Sequence, residues 1–217
     1  MGGIDDFSLL LSQAAGPSGV LGPGGWLALG LSFISGAVPF GLLLCKAKGV
    51  DLRQVGSGNI GATNVARALG KRWGIIALVL DLFKGLLPVL LVRHLLAGHP
   101  SLELITAGVM VAAVMGHMFT PFLACRGGKG VATGLGVMLA VCPLAGAVGM
   151  ALYVGLYAAF RISSVGSLAG SLSAPLVMYL AGAAGPAVVA GLIIALLILI
   201  KHQANIRRLL RGEERRV

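Results

Sequence analysis

Seven apolar segments punctuate the chain, at about 26–45, 74–95, 102–123, 131–142, 143–160, 165–182 and 184–201, with few charges inside them. Most approach the ~20 residues that a helix needs to cross the hydrocarbon core of a bilayer. A chain of 217 residues has no soluble interior large enough to hide so many apolar runs, whereas lipid replaces water around each of them. Only 11% of the residues are charged, against roughly 25% in soluble domains. The 34 glycines fit the same reading, because small residues let membrane helices approach closely. The segments predict an all-α, polytopic transmembrane bundle forming a single integral membrane domain over 1–217. A short non-membrane segment, 1–25, precedes it and a basic tail, 202–217, ends it. Residues 1–25 hold Asp5 and Asp6 but no basic leader, so no signal peptide is expected.

Charge placement sets the number of crossings. Apart from Arg93 and the intramembrane Lys84, the basic residues lie in or beside 46–72, 126–129, 161 and 201–216. The segment 131–142 is short enough to be re-entrant, yet counting it as a crossing puts all four clusters on one side. The positive-inside rule then favours about seven spanning helices, with the N-terminus outside and the C-terminus in the cytoplasm. Gly166, Gly170 and Ala174 recur at four-residue spacing and predict a close helix contact. Pro39, Pro88, Pro143 and Pro175 interrupt apolar runs, so neighbouring groups must satisfy the carbonyls they free.

The net charge of +10 reads as cytoplasmic loop bias with anionic lipid or substrate nearby; no soluble reading module suggests nucleic acid. Cys45, Cys125 and Cys142 lack metal-ligand spacing, and no metal or cofactor is expected. The chemistry lies in three polar stretches. The first runs from Gly56 to Arg67 and contains a formal G-x-G-x-x-G, with Asp81 20 residues after Gly61. No strand precedes it and Asp81 falls in an apolar segment, so a dinucleotide fold is rejected. Its glycines admit backbone N–H groups to an anion, Ser57, Asn59, Thr63 and Asn64 offer hydrogen bonds, and Arg67 offers a planar fork.

The second stretch holds Gly116-His117 and then Arg126-Gly127-Gly128-Lys129-Gly130. It is no P-loop, because Leu123 and Gly130 stand where glycine and Ser/Thr are needed. The glycines entering a helix nevertheless predict an anion nest. The third, Lys201 to Glu214, places His202 and Asn205 on one helical face. Asp81 and Lys84, three apart, either pair structurally on one helix face or serve function inside the membrane. Ser163, Ser164 and Ser167 follow Arg161 at a helix start, where serines act as caps or touch substrate. His94 and His99 read as interfacial, and the terminal charges Arg215 and Arg216 as serving topology or lipid contact only.

Taken in order, these stretches resemble the bacterial membrane glycerol-3-phosphate acyltransferases that use acyl phosphate as donor. The family's S-G-N-x-G-x-x-N-x-x-R is matched by Ser57 through Arg67. Its G-H and G-G-K-G-V-A-T are matched by Gly116-His117 and Gly127 through Thr133, and K-H-x-x-N-I-x-R-L-L-x-G-x-E by Lys201 to Glu214. Asp81 through Gly85 gives a similar D-x-x-K-G. Departures are Thr120 and Pro121, where proline normally comes one position earlier, Cys125 in an aromatic position, and Gln203 after the third stretch's histidine.

The resemblance implies acyl transfer from a long-chain acyl phosphate to the 1-hydroxyl of sn-glycerol 3-phosphate, giving 1-acylglycerol 3-phosphate and phosphate, the first step of phospholipid synthesis. It implies a multi-pass protein of the bacterial inner membrane with its site on the cytoplasmic face. Expected partners are the two substrates, membrane lipid and an acyl-phosphate-producing enzyme. His202, Asn205 and Lys129 are the expected catalytic residues. Ser57, Asn59, Asn64, Arg67, Lys84, His117, Gly127, Gly128, Gly130 and Ser164 are the expected substrate contacts. The proton acceptor is either His202 or an oxygen of the acyl phosphate. An acyl-CoA-dependent H-x-x-x-x-D enzyme is excluded, because no histidine is followed five residues later by Asp. A metal-dependent phosphatidyl transferase lacks its clustered aspartates, and an anion transporter would need polar groups on both faces.

Overall fold

A computed structural model describes residues 21–216. Most of the expected segment 1–25 and its acidic pair therefore lie outside the described residues. Every helix follows an apolar run or a polar stretch singled out above. These are α1 Gly22–Ala37, α2 Phe40–Ala47, α3 Ala62–Leu69, α4 Lys71–Leu95, α5 Leu102–Met118, α6 Val131–Val141, α7 Pro143–Phe160, α8 Ser163–Leu180, α9 Gly185–Lys201 and α10 Gln203–Leu210. Two short 3-10 turns, Leu52–Gln54 and Pro121–Leu123, shape the loops. Among the described residues there is no strand.

All seven apolar segments are thus helical. Four helical stretches, Gly22–Ala47, Lys71–Leu95, Leu102–Leu123 and Pro143–Phe160, are long and apolar enough to cross a membrane. A fifth counts if Gly185–Lys201 and Gln203–Leu210, bent by 59°, form one broken span. Large apolar side chains such as Trp26, Leu31, Ile34, Phe83, Leu91, Tyr179, Leu180 and Leu196 face outward, while the interior is rich in alanine and glycine. This pattern suits a lipid surround, in which outward apolar groups cost nothing and association rests on close packing.

The close packing is visible as paired glycine contacts. A Cβ built on Gly36 would come 2.0 Å from the Ala113 carbonyl, and one on Gly116 would come 2.1 Å from Phe33 O, locking α1 to α5. Gly85 against Thr133 O and Gly136 against Leu82 O do the same for α4 and α6. The predicted contact of α8 is met by α7, where Gly149 and Gly170 face each other's carbonyls.

The first apolar segment is not one helix. Pro39 has no N–H to continue the ladder and breaks it between Ala37 and Phe40. The freed carbonyls are satisfied from neighbouring elements. Thr120 Oγ1 donates to Ala37 O at 2.7 Å, and Lys84 Nζ donates to Val38 O at 2.8 Å. Thr120, one of the departures noted above, is therefore fully buried in a bond that proline cannot make. Asp81 and Lys84 pair at 2.8 Å, the structural one of their two readings.

Candidate functional site

The three polar stretches meet at one cavity of ≈ 640 Å³ bounded by α3–α10. One end is polar, with Arg67, Lys129, Arg161, Arg208, Arg215 and Glu214 on its wall. The other is apolar, lined by Leu78, Leu135, Met138, Ala145, Ala174 and Ile194. The cavity therefore runs from charge at the loops to hydrocarbon between helices.

Local folding places each group. Asn64, buried at the start of α3, accepts the Ser57 N–H at 3.0 Å through Oδ1 and donates through Nδ2 to Leu52 O and Val55 O at 3.2 and 2.9 Å. These contacts fold the first loop and leave Ser57 exposed at the cavity edge. Asn59 Oδ1 accepts the Gly61 N–H at 3.2 Å, a local turn that stops the loop before the helix. Arg67 is half-buried on α3, and among the described residues no carboxylate pairs with it.

Lys129 sits just before α6, and its Nζ donates to Asn205 Oδ1 at 2.5 Å. Asn205 Nδ2 donates onward to Glu214 Oε1 at 2.6 Å. Glu214 also accepts from Ser164 Oγ at 3.1 Å and from Arg208 Nε at 2.6 Å. One carboxylate thus joins α8, α10 and, through Asn205, the second loop. Burial opposes the ionised Glu214 carboxylate, but the bonds from Arg208, Asn205 and Ser164 outweigh it and hold its pKa below the ordinary value. Burial also dominates at Lys129 and lowers its pKa to about 8, with Glu214 pulling the other way and Arg208 and Arg67 adding to the depression.

His202 caps the end of α9, and its Nδ1 lies 2.8 Å from Ile198 O. A carbonyl only accepts, so Nδ1 carries the hydrogen and Nε2 of the neutral ring is left as an acceptor. His117 also lines the cavity, with Nδ1 3.8 Å from Asp81 Oδ1. Lys201 donates to Met118 O at 3.0 Å and lies over the Phe119 ring, fixing the end of α5.

Several expected contacts are corrected. The Gly127 and Gly128 N–H groups were expected to cradle an anion, but they donate to Met118 O and His117 O at 3.1 and 3.0 Å. They cap the C-terminus of α5, whose last carbonyls need partners, and neither glycine lines the cavity. Gly128 is packed on the His117 ring, where a Cβ would come within 2.1 Å of Nε2. Gly130 does line the cavity, with φ at 82°. Lys84 stands off the cavity, held by Asp81 and Val38 O. Asn64 lines it, but both ends of its amide are engaged in folding the loop.

Arg215, expected to serve only topology or lipid, is on the cavity wall. Sequence reasoning also gave no site role to Glu214 and Arg208, whereas Thr63 was read as a hydrogen-bonding group of the first stretch. Thr63 Oγ1 is 3.1 Å from Ser163 Oγ, which is also 3.1 Å from the Tyr153 hydroxyl. The G-x-E spacing at the end of the third stretch was the available signal for Glu214. Among the described residues, no group of three His, Cys, Asp or Glu is arranged to hold a metal.

A family model described as glycerol-3-phosphate acyltransferase matches residues 26–212. A glycerol-3-phosphate acyltransferase of Anaeromyxobacter sp. (strain Fw109-5) is 50% identical over 195 residues, covering 89% of this chain and 96% of the relative. One of Geobacter sulfurreducens is 46% identical over 188 residues, covering 86% and 94%. The crystal structure of PlsY (YgiH), an integral membrane glycerol 3-phosphate acyltransferase, in its glycerol 3-phosphate form superposes with a TM-score of 0.84 at 37% identity. That match covers 89% of this chain and 95% of the other. The lysophosphatidic acid form of PlsY gives 0.82 at 36% identity, covering 88% and 94%.

Proposed function

The chain belongs to the glycerol-3-phosphate acyltransferase family and is an integral membrane protein, and on that premise we propose that its acyl donor is a long-chain acyl phosphate. The observation that carries the proposal is the mixed lining of the cavity, which joins cations from loops and helix ends to apolar side chains from helix interiors. A donor with phosphate at its head and an alkyl chain behind it matches both kinds of lining. The acceptor's phosphate needs the same cations.

In the proposed reaction the 1-hydroxyl oxygen of glycerol 3-phosphate attacks the acyl carbon. The bond from that carbon to the phosphate oxygen breaks, and 1-acylglycerol 3-phosphate and inorganic phosphate leave. Arg67 and Arg215 hold the acceptor phosphate, with Ser57 and Asn59 at its edge. Lys129, oriented by Asn205, lies against the donor's acyl phosphate and offsets the charge that grows on the carbonyl oxygen and on the departing phosphate. The N–H groups at the start of α6, beginning at Gly130, reinforce it. Ser164 and His117 border the donor. His202 Nε2 accepts a hydrogen bond from the attacking hydroxyl and aligns it, and the leaving phosphate takes the proton away. The acyl chain lies between α4, α6, α7, α8 and α9.

The same reading puts seven crossings in the bacterial inner membrane with the three polar stretches in the cytoplasm. The charge clusters support it, because that count gathers them on one side. An acyl-phosphate-producing enzyme is then the natural supplier on that face. The deciding experiment uses purified protein in detergent with glycerol 3-phosphate and either palmitoyl phosphate or palmitoyl-CoA. Product and phosphate should form with the first donor and not the second, with or without EDTA. Equal use of the CoA ester, or strict dependence on magnesium, would overturn the donor assignment.

A further inference from the structure

Arg53 lies outside the three polar stretches, yet its guanidinium joins two of them. One arm, Nη1, donates to Gly58 O in the first loop at 3.1 Å. The other, Nη2, donates to Arg126 O in the second. The residue itself is firmly seated. Asp51 Oδ1 accepts its N–H at 3.0 Å, and the preceding Leu52 is buried, with its carbonyl bound by Asn64 Nδ2 at 3.2 Å.

The second loop is tied by its own N–H groups to the end of α5 and to the turn before it, and none of those bonds reaches the first loop. The second loop's Ala124 and Cys125 have positive φ, at 48° and 61°, and Arg126 is exposed. Among the described residues, the bond from Arg53 to Arg126 O is the one hydrogen bond joining segment 51–61 to segment 124–130. Lys129 follows three residues after that carbonyl, and Arg67 lies on the helix that the first loop enters. The separation of the two cations therefore depends on how the two loops are held.

We propose that Arg53 is a positioning residue that clamps the Gly58 and Arg126 carbonyls with one guanidinium and thereby sets the spacing between the Arg67 and Lys129 sides of the site. A planar fork with several fixed donors can hold two carbonyls at once, and a lysine ammonium on a flexible stem does so poorly. The activity arm of the test rests on the function proposed above. A second arm, hydrogen exchange, does not depend on it.

Arg53→Ala should lower kcat/KM for glycerol 3-phosphate about tenfold, the scale of a lost charge-assisted bond, in protein that is inserted and folded in wild-type amount. Guanidinium ion, well below denaturing concentration, should recover much of the loss in Arg53→Ala and none in Lys129→Ala. The double variant Arg53→Ala/Lys129→Ala should be no slower than Lys129→Ala alone, because Arg53 acts through where Lys129 stands. By hydrogen-exchange mass spectrometry, Arg53→Ala should exchange faster over 124–130 while the peptides of α5 and α9 stay unchanged. Additive losses, absence of guanidinium rescue, or unaltered exchange over 124–130 would each overturn the clamp. If the wild-type protein forms no product with palmitoyl phosphate, the proposed function fails, and the exchange measurement still judges the clamp.

Discussion

At the scale of the residue, the cations carry the sharpest tests. Removing a charge-assisted partner from a site partly shielded from water costs about 1.5–3 kcal/mol, and hence about tenfold or more in rate. Lys129→Ala and Arg67→Ala should both show at least that loss in phosphate release at limiting glycerol 3-phosphate. Arg67→Lys should also be slow, since an ammonium lacks the fork. Arg215→Ala should now be measurably impaired, whereas Arg216→Ala should behave as wild type.

The lowered pKa of Lys129 gives a second test. Its ammonium, needed against the donor's acyl phosphate, is lost as pH rises through about 8, so turnover should fall and KM for the acyl phosphate should climb above that pH. Glu214 raises this pKa. Removing its charge in Glu214→Gln should move the alkaline limb to lower pH; an unmoved limb would show that the pair is not coupled. The cations themselves were legible in the sequence, because Gly-rich polar loops between apolar runs have few other uses. Glu214 was legible as the last position of the third stretch but its role was not, since a carboxylate in a basic tail reads as solvated until Gly212, with φ at 70°, turns the chain back onto Arg208 and Asn205.

At the scale of the element, the length of the apolar runs located all seven apolar helices but not the places where they break. The interruption at Pro39 was readable as a proline, whereas its remedy was not: Thr120 and Lys84 come from helices or loops far along the chain. Gly127 and Gly128 were misread for the same reason, because the carbonyls at the end of α5 claim N–H groups that look free in one dimension. Lys84→Met should therefore be destabilising rather than slow. It leaves Asp81 buried without its partner, a loss of about 3–5 kcal/mol for a broken buried pair. The melting temperature in detergent should fall, and the folded fraction should keep near-normal KM. A selective rise in KM with unchanged melting would return Lys84 to the substrate. Gly170→Leu should likewise lower the melting temperature, because a Cβ there already stands 2.5 Å from the Gly149 carbonyl and forces α7 and α8 apart.

At the scale of the molecule, the distribution of charge makes a topological prediction. A reporter fused after Val217 should be active only in the cytoplasm. Activity on the periplasmic side would undo the seven-crossing arrangement and separate the loops. Fold class and the convergence of three stretches were legible because hydropathy and polar clustering are properties of the chain itself. The acyl slot was not, since Leu78, Met138, Ala145, Ala174 and Ile194 belong to five different helices and look like any packed apolar residues. The link from Lys129 through Asn205 to Glu214 also has a consequence for biosynthesis. Translation delivers Arg67 and Lys129 early, whereas Asn205 and Glu214 leave the ribosome after every apolar segment. A nascent chain can be threaded into the membrane with its cations already in place and still be chemically silent until those last groups arrive, so that a ribosome stalled before them leaves behind an inserted protein that cannot turn over.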